Sequence, residues 1–322
     1  MKLFVLTSLL MMLISSPTIS QQMWNQEKLN AMADKYSVSS LDMFVDMLSL
    51  PNDSHDREML ANNIEWFNKA FRDRGFSIKR LETPSVPALL IERKVTHSSK
   101  TILFYVHADG QPVHEADWDQ PSPWKPVFKK IDTDGKWIII STEDVKNDFN
   151  HETRIFGRSS SDDKGPVAMF LAAVDALDEA GIKPDFNIKI FLDFEEEIGS
   201  PYLADLVEAH KNELSSDILI VFDGPNHNSN RPTLCFGARG ITRITLTTYG
   251  ARSALHSGHY GNYSPNPAFI MAGLLSSMKD DEGKVLIPGF YDGIKLTAEE
   301  ISILERVPDD EVSFCPNESR IG

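Results

Sequence analysis

The sequence predicts an α/β fold, a mainly parallel sheet flanked by helices, followed by the start of a smaller α+β domain. Three observations carry this. Short apolar runs (TILFYV, NIKIFLDFE, DILIVFD) alternate with segments of helical periodicity, a pattern that needs crossover connections and parallel strands. TILFYV is almost wholly apolar, as a strand covered on both faces must be. After Asp223 the composition shifts to the polar, turn-rich GPNHNSNRPT and a different pattern begins.

Along the chain, REMLANNIEWFNKAFRDRG (57–75) places apolar residues at helical spacing, with Gly75 as the stop. FSIKRL and PALLIER read as strands, and TILFYV as the central strand. Residues 110–150, rich in Pro, Trp, Asp and Lys, read as irregular. Gly165 to Gly181 reads as a helix with Pro166 in its first turn and Gly181 at its end. NIKIFLDFE, SPYLADLVEAHK and DILIVFD follow as strand, helix and strand. In the second domain GITRITLTTYG alternates with period two, as a half-exposed strand does, and SPNPAFIMAGLLSSM reads as a helix entered through prolines.

Composition narrows the function. The 322 residues contain 41% hydrophobic residues, enough for a real core, and a net charge of −15. Such acidity argues against nucleic acid or an anionic membrane as partner. Residues 1–20, MKLFVLTSLLMMLISSPTIS, have a basic n-region, an apolar stretch too short for a comfortable span and small residues before Gln21. They read as a secretory signal peptide, with no membrane association after its removal. The boundaries then fall at 1–20 for the signal, 21–230 for the first domain and 231–322 for part of a second. Cys235 and Cys315 lie too far apart in sequence to define a disulfide framework, and their pairing stays open. Asn52, Asn262 and Asn317 each begin an N-glycosylation triplet.

The chemistry-bearing residues stand where apolar strands stop. His107 and Asp109 follow TILFYV, Asp162 sits in GRSSSDDKGP, Glu196 and Glu197 follow KIFLDFE, and Asp223 follows DILIVF. Open α/β sheets bind their ligands at this edge, and one His with several carboxylates makes a hard metal-ligand set. Each piece has an ordinary reading too: a strand-end His with a surface Asp, a helix-capping Asp before Gly165, a solvated glutamate loop, a turn Asp. The joint order is what points to a metal-dependent hydrolase.

HADGQP, GRSSSDDKGP, EEIGS, FDGP and LHSGHYGN, in this order, resemble the M20 family of dinuclear zinc peptidases, above all its carnosinase-type dipeptidase and ArgE/DapE-like branches. The resemblance runs from about residue 40 to at least 290. It implies a catalytic first domain and a lid or dimerisation second domain. By matching positions, His107 and Asp223 would bind one zinc, Glu197 the other, and Asp162 would bridge them. Asp109 would support His107, Glu196 would be the general base, with Gly199-Ser200 setting the register against Glu195, and His256 would steady the oxyanion from the lid of a homodimer. Two Zn²⁺ per site are implied, with Mn²⁺ or Co²⁺ as alternatives, and short peptides or N-acyl amino acids as substrates. Two departures stand out. Ser159 replaces the family's usual Gly, and no histidine among His114, His151, His227 and His259 has the context of the family's last zinc ligand, so the resemblance implies a chain that stops within the lid. A metal-binding or dimerising homologue without turnover, and a hydrolase with a single metal on His107, Asp162 and Asp223, are the alternatives.

Overall fold

A computed structural model of the chain describes residues 26–96, 98–224, 234–235, 237 and 240–306. The signal peptide, most of the 224–233 link, Cys315, Asn317 and His227 lie outside the described residues. The chain divides into two units, Met1–Pro225 and Asn226–Gly322.

Among the described residues, the first unit opens with helices α1 (Gln26–Ser39), α2 (Leu41–Leu48) and α3 (Arg57–Arg72). Asp56 starts α3 by accepting the amides of Glu58 and Met59 at 2.9 and 3.0 Å, satisfying donors that a helix start leaves unpaired. Gly75 ends the turn beyond it at φ +76, a conformation that costs a residue without a β-carbon little. Leu60, Ile64, Phe67 and Phe71 form the buried stripe of α3. Strands β1 (Ser77–Leu81), β2 (Ala88–Arg93) and β3 (Thr101–His107) follow.

The stretch expected to be irregular instead builds a second sheet from β4 (Val127–Ile131), β5 (Trp137–Ile140) and β6 (Arg154–Phe156), with the helix α4 (Thr142–Asn147) between the last two. Its hairpin turns on Asp132, whose carboxylate accepts the amides of Asp134 and Lys136, each at 2.9 Å, while Gly135 takes φ +77. Helix α5 (Lys164–Glu179) buries Val167, Leu171 and Val174. Strand β7 (Asn187–Asp193), helices α6 (Leu203–Ala209) and α7 (Lys211–Leu214) and strand β8 (Ile218–Val221) complete the unit.

The main sheet has the order β1-β2-β7-β3-β8. It is mixed: β7, β3 and β8 are parallel, whereas β1 and β2 pair antiparallel. The parallel trio is the part that positions the site. In register, His107 lies opposite Asp193 and Tyr105 opposite Val221, so the segments after β3, β7 and β8 leave the sheet along one edge. Beneath that edge, Phe67, Phe71, Leu89, Val106, Leu171, Leu192 and Phe194 form one buried cluster.

The second unit contains helices α8 (Ser257–Tyr260), α9 (Pro267–Met278) and α10 (Ala298–Leu304). Asn266 caps α9 through the amide of Ala268 at 2.9 Å, and Pro267 occupies its first turn. The strand expected over GITRITLTTYG is not formed: residues 240–250 have no ladder partner among the described residues, and alternation alone cannot hold a strand without one. Asn52 is fully buried, so the glycosylation reading fails there, whereas Asn262 is exposed. No helix of the described residues is long and apolar enough to cross a membrane.

Candidate metal centre

His107 closes β3 with its ring fully buried. Its Nε2 lies 2.8 Å from Asp162 Oδ1, 3.9 Å from Glu196 Oε2 and 4.0 Å from Asp223 Oδ2. Among the described residues, His107, Asp162 and Asp223 form the group able to hold a cation, their ligand atoms all within 4.8 Å of one another. Asp162 arrives on the loop before α5 and Asp223 on the segment after β8. The capping reading of the Asp pair fails: Asp163 makes no side-chain cap to α5 and instead accepts the backbone amide of His107 at 3.2 Å.

Two buried carboxylates shape the turn that carries the glutamates. Asp193 Oδ1 accepts the amides of Phe194 and Glu195 at 2.7 and 3.0 Å, and its Oδ2 accepts the hydroxyls of Ser200 and Tyr105 at 2.6 and 3.1 Å. Asp109 then accepts the amides of Glu196 and Glu197 at 3.2 and 3.0 Å. The same Asp109 lies 3.2 Å from His107 Nδ1, which orients the ring with Nε2 toward Asp162. Glu196 therefore enters the site on a turn whose amides are all satisfied. Glu197 stands outside the cation-binding group, its carboxylate accepting the side-chain amide of Gln111 at 2.7 Å. His256 belongs to the second unit, where its Nδ1 accepts the amide of Gly258 at 3.0 Å and its ring lies 4.9 Å from that of His259.

Buried carboxylates crowd one another here. Burial pushes Asp163 up to about 8, with Asp223 and Asp162 adding to the rise against His107. Burial also raises Glu196 and Asp223, and neighbouring carboxylates add to both. For His107 burial works downward, but the hydrogen bond with Asp109 and the charges of Asp109, Asp163 and Asp223 outweigh it and push the value up to about 10. A metal ion must displace the proton held there, so affinity should rise with pH. Calorimetric titration of zinc into metal-free protein at neutral pH, in buffers of unlike ionisation enthalpy, should report net proton release; heats independent of the buffer would contradict this.

Several residues of this region had no role assigned from the sequence. Asp193 was visible only as a charge inside the apolar run FLDF. Lys164 is wholly buried, its Nζ donating to the carbonyls of Met47 and Leu50 at 2.9 and 2.8 Å, and burial pulls its pKa down to about 7. Asn52 was marked only as the start of a glycosylation triplet and Gln111 only as part of HADGQP, because their partners come from distant segments.

The family model described as peptidase family M20/M25/M40 matches residues 103–312. The chain is 31% identical over 242 residues to the Cys-Gly metallodipeptidase dug1 of Schizosaccharomyces pombe, covering 73% of this chain and 46% of that protein. It is 29% identical over 241 residues to the human Beta-Ala-His dipeptidase, covering 74% of this chain and 43% of the relative. The chain thus spans less than half the length of these curated relatives. In fold it is similar to the M20 family metallo-carboxypeptidase Sso-CP2 from Sulfolobus solfataricus, with a TM-score of 0.65, 24% identity and coverage of 86% of this chain and 58% of that one. Human carnosine dipeptidase 1 gives a TM-score of 0.62 at 23% identity, covering 90% and 60% respectively.

Proposed function

The chain belongs to peptidase family M20/M25/M40, and from that premise we propose that it serves metal-dependent hydrolysis of the amide bond of short peptides, dipeptides first. The convergence of His107, Asp162 and Asp223 beside Glu196 carries the reading. Nitrogen and carboxylate oxygen donors, surrounded by carboxylates whose pKa values burial raises, fit a divalent cation. Zinc is the proposed ion, with manganese or cobalt as substitutes. Glu197 with Asp162 is the proposed starting point of a second position, in keeping with a dinuclear centre. When bound, the metal would polarise the scissile carbonyl and acidify a water.

The protein groups do the rest. Asp109 fixes the His107 ring and, through two amides, the position of Glu196. Glu196, partly open to solvent, accepts a proton at its carboxylate from the attacking water and returns it to the leaving amine. Its raised pKa makes it a stronger base than an ordinary glutamate. His256 is proposed to donate to the oxyanion, within a homodimer formed through the second unit. The names of the relatives, a Cys-Gly and a Beta-Ala-His dipeptidase, support dipeptides as the substrate class.

The test is hydrolysis of Cys-Gly and β-Ala-His by the purified chain. Turnover should vanish on dialysis against a chelator and return with zinc, manganese or cobalt. A fully metal-loaded protein that cleaves no dipeptide would overturn the proposal and leave a metal-binding homologue.

A further inference from the structure

The end of β3, which carries His107, and the loop that carries Asp162 meet at the candidate centre, and a buried side-chain amide bonds to both segments. Asn52 Nδ2 donates to the carbonyl of Ala108, between His107 and Asp109, at 2.7 Å. The same nitrogen donates to Ser159 Oγ, on the loop of Asp162, at 3.0 Å. The backbone of Asn52 reinforces the junction: its carbonyl accepts the Gly110 amide at 2.8 Å, and the Gly110 carbonyl accepts the Ser54 amide at 2.9 Å. Packing here is tight, since a β-carbon on Gly110 would fall 2.6 Å from Ser159 Oγ and 3.2 Å from Asn52 Oδ1. Ser159 holds φ +60, a left-handed conformation that a residue with a β-carbon adopts at a cost. Its hydroxyl is thereby placed against Asn52. The other direct bonds between the two segments include the His107 amide to Asp163 and His107 Nε2 with Asp162 itself, at 3.2 and 2.8 Å.

Resting on the metal-centre reading, we infer that Asn52 is a positioning residue of that centre. It touches no cation ligand. It fixes the separation of the two loops, and so the distance between His107 Nε2 and Asp162 Oδ1. A ligand set held at the spacing a cation needs binds without reorganising; partners bonded directly to the ligands are worth about 10–100-fold in metal affinity, and Asn52, acting one bond further out, is expected at the low end of that range.

Zinc affinity of the expressed chain, measured by competition with a chromophoric chelator, tests this without requiring turnover. Asn52→Ala should lower the affinity by about tenfold. Ser159→Gly removes one of the two bonds and relieves the left-handed strain, so it should lower affinity by less than about tenfold without lowering the melting temperature of the metal-free protein. Asn187→Ala is the control. Asn187 is a side-chain donor to Ser98 and Thr101 at the far end of β7, six rungs from the His107–Asp193 pair; its loss should lower the melting temperature and leave zinc affinity unchanged. Wild-type affinity in Asn52→Ala, or an equal loss in Asn187→Ala, overturns the inference. If Asn52→Ala does not fold, unchanged affinity in Ser159→Gly overturns it instead. A wild-type chain that binds no zinc removes the metal-centre reading itself, and the inference with it.

Discussion

Replacing Glu196 by glutamine is expected to lower kcat for dipeptide hydrolysis by about 10²–10⁴-fold while leaving metal content and KM nearly unchanged. Glutamine has the shape of glutamate, and the turn beneath it is held by the Glu196 and Glu197 amides on Asp109, which the substitution does not touch. What disappears is the capacity to accept a proton 3.9 Å from His107 Nε2. Steady-state kinetics beside metal analysis of the same preparation decide the matter. A kcat within tenfold of wild type would remove Glu196 from the role of base, and loss of metal would make it a ligand.

The second large effect concerns stability. Phe67→Ala should destabilise the first unit by about 3–5 kcal/mol, which for a unit of this size lowers the melting temperature by roughly 10 °C. Phe67 is fully buried and meets Trp66 edge-on at 5.1 Å and Phe194 at 6.1 Å between ring centroids. Phe194 opens the glutamate turn, so the cavity would also lie under the candidate site. Metal-free protein is the material to melt, because a bound cation adds its own stabilisation. The same deletion at Leu29, which is 45% exposed on α1, should change little.

The parallel core of the fold was legible from its apolar runs, which are buried toward the site in β3 (Phe104, Val106) and β7 (Ile190 to Leu192), while β8 kept the apolar pattern although it is largely exposed. The helices α3 and α5 were legible from their stripes and glycine stops. The small sheet was missed although Asp134-Gly135 between KKI and WIII is a hairpin signal; its strands are too exposed to read as core. The opposite error fell on residues 240–250, where alternation suggested a strand and no neighbour pairs with it among the described residues. Two antiparallel strands at the sheet's edge, β1 and β2, were seen as strands but not as antiparallel, since direction depends on connections and not on pattern. At the site, residues ending strands were legible. The groups that hold them, Asn52, Asp163 and Asp193, were not, because a hydrogen bond between residues 107 positions apart leaves no trace in local sequence.

The capture of amides 194–197 by Asp109 and Asp193 separates two kinds of inheritance in this region. The path of the main chain there is written in two acids that lie outside the segment they bend. Side chains along that path are not among the acceptors that shape it. A substitution at 196 therefore changes the side chain that the turn presents, whereas a change at 109 or 193 would remove the acceptors that shape the turn itself.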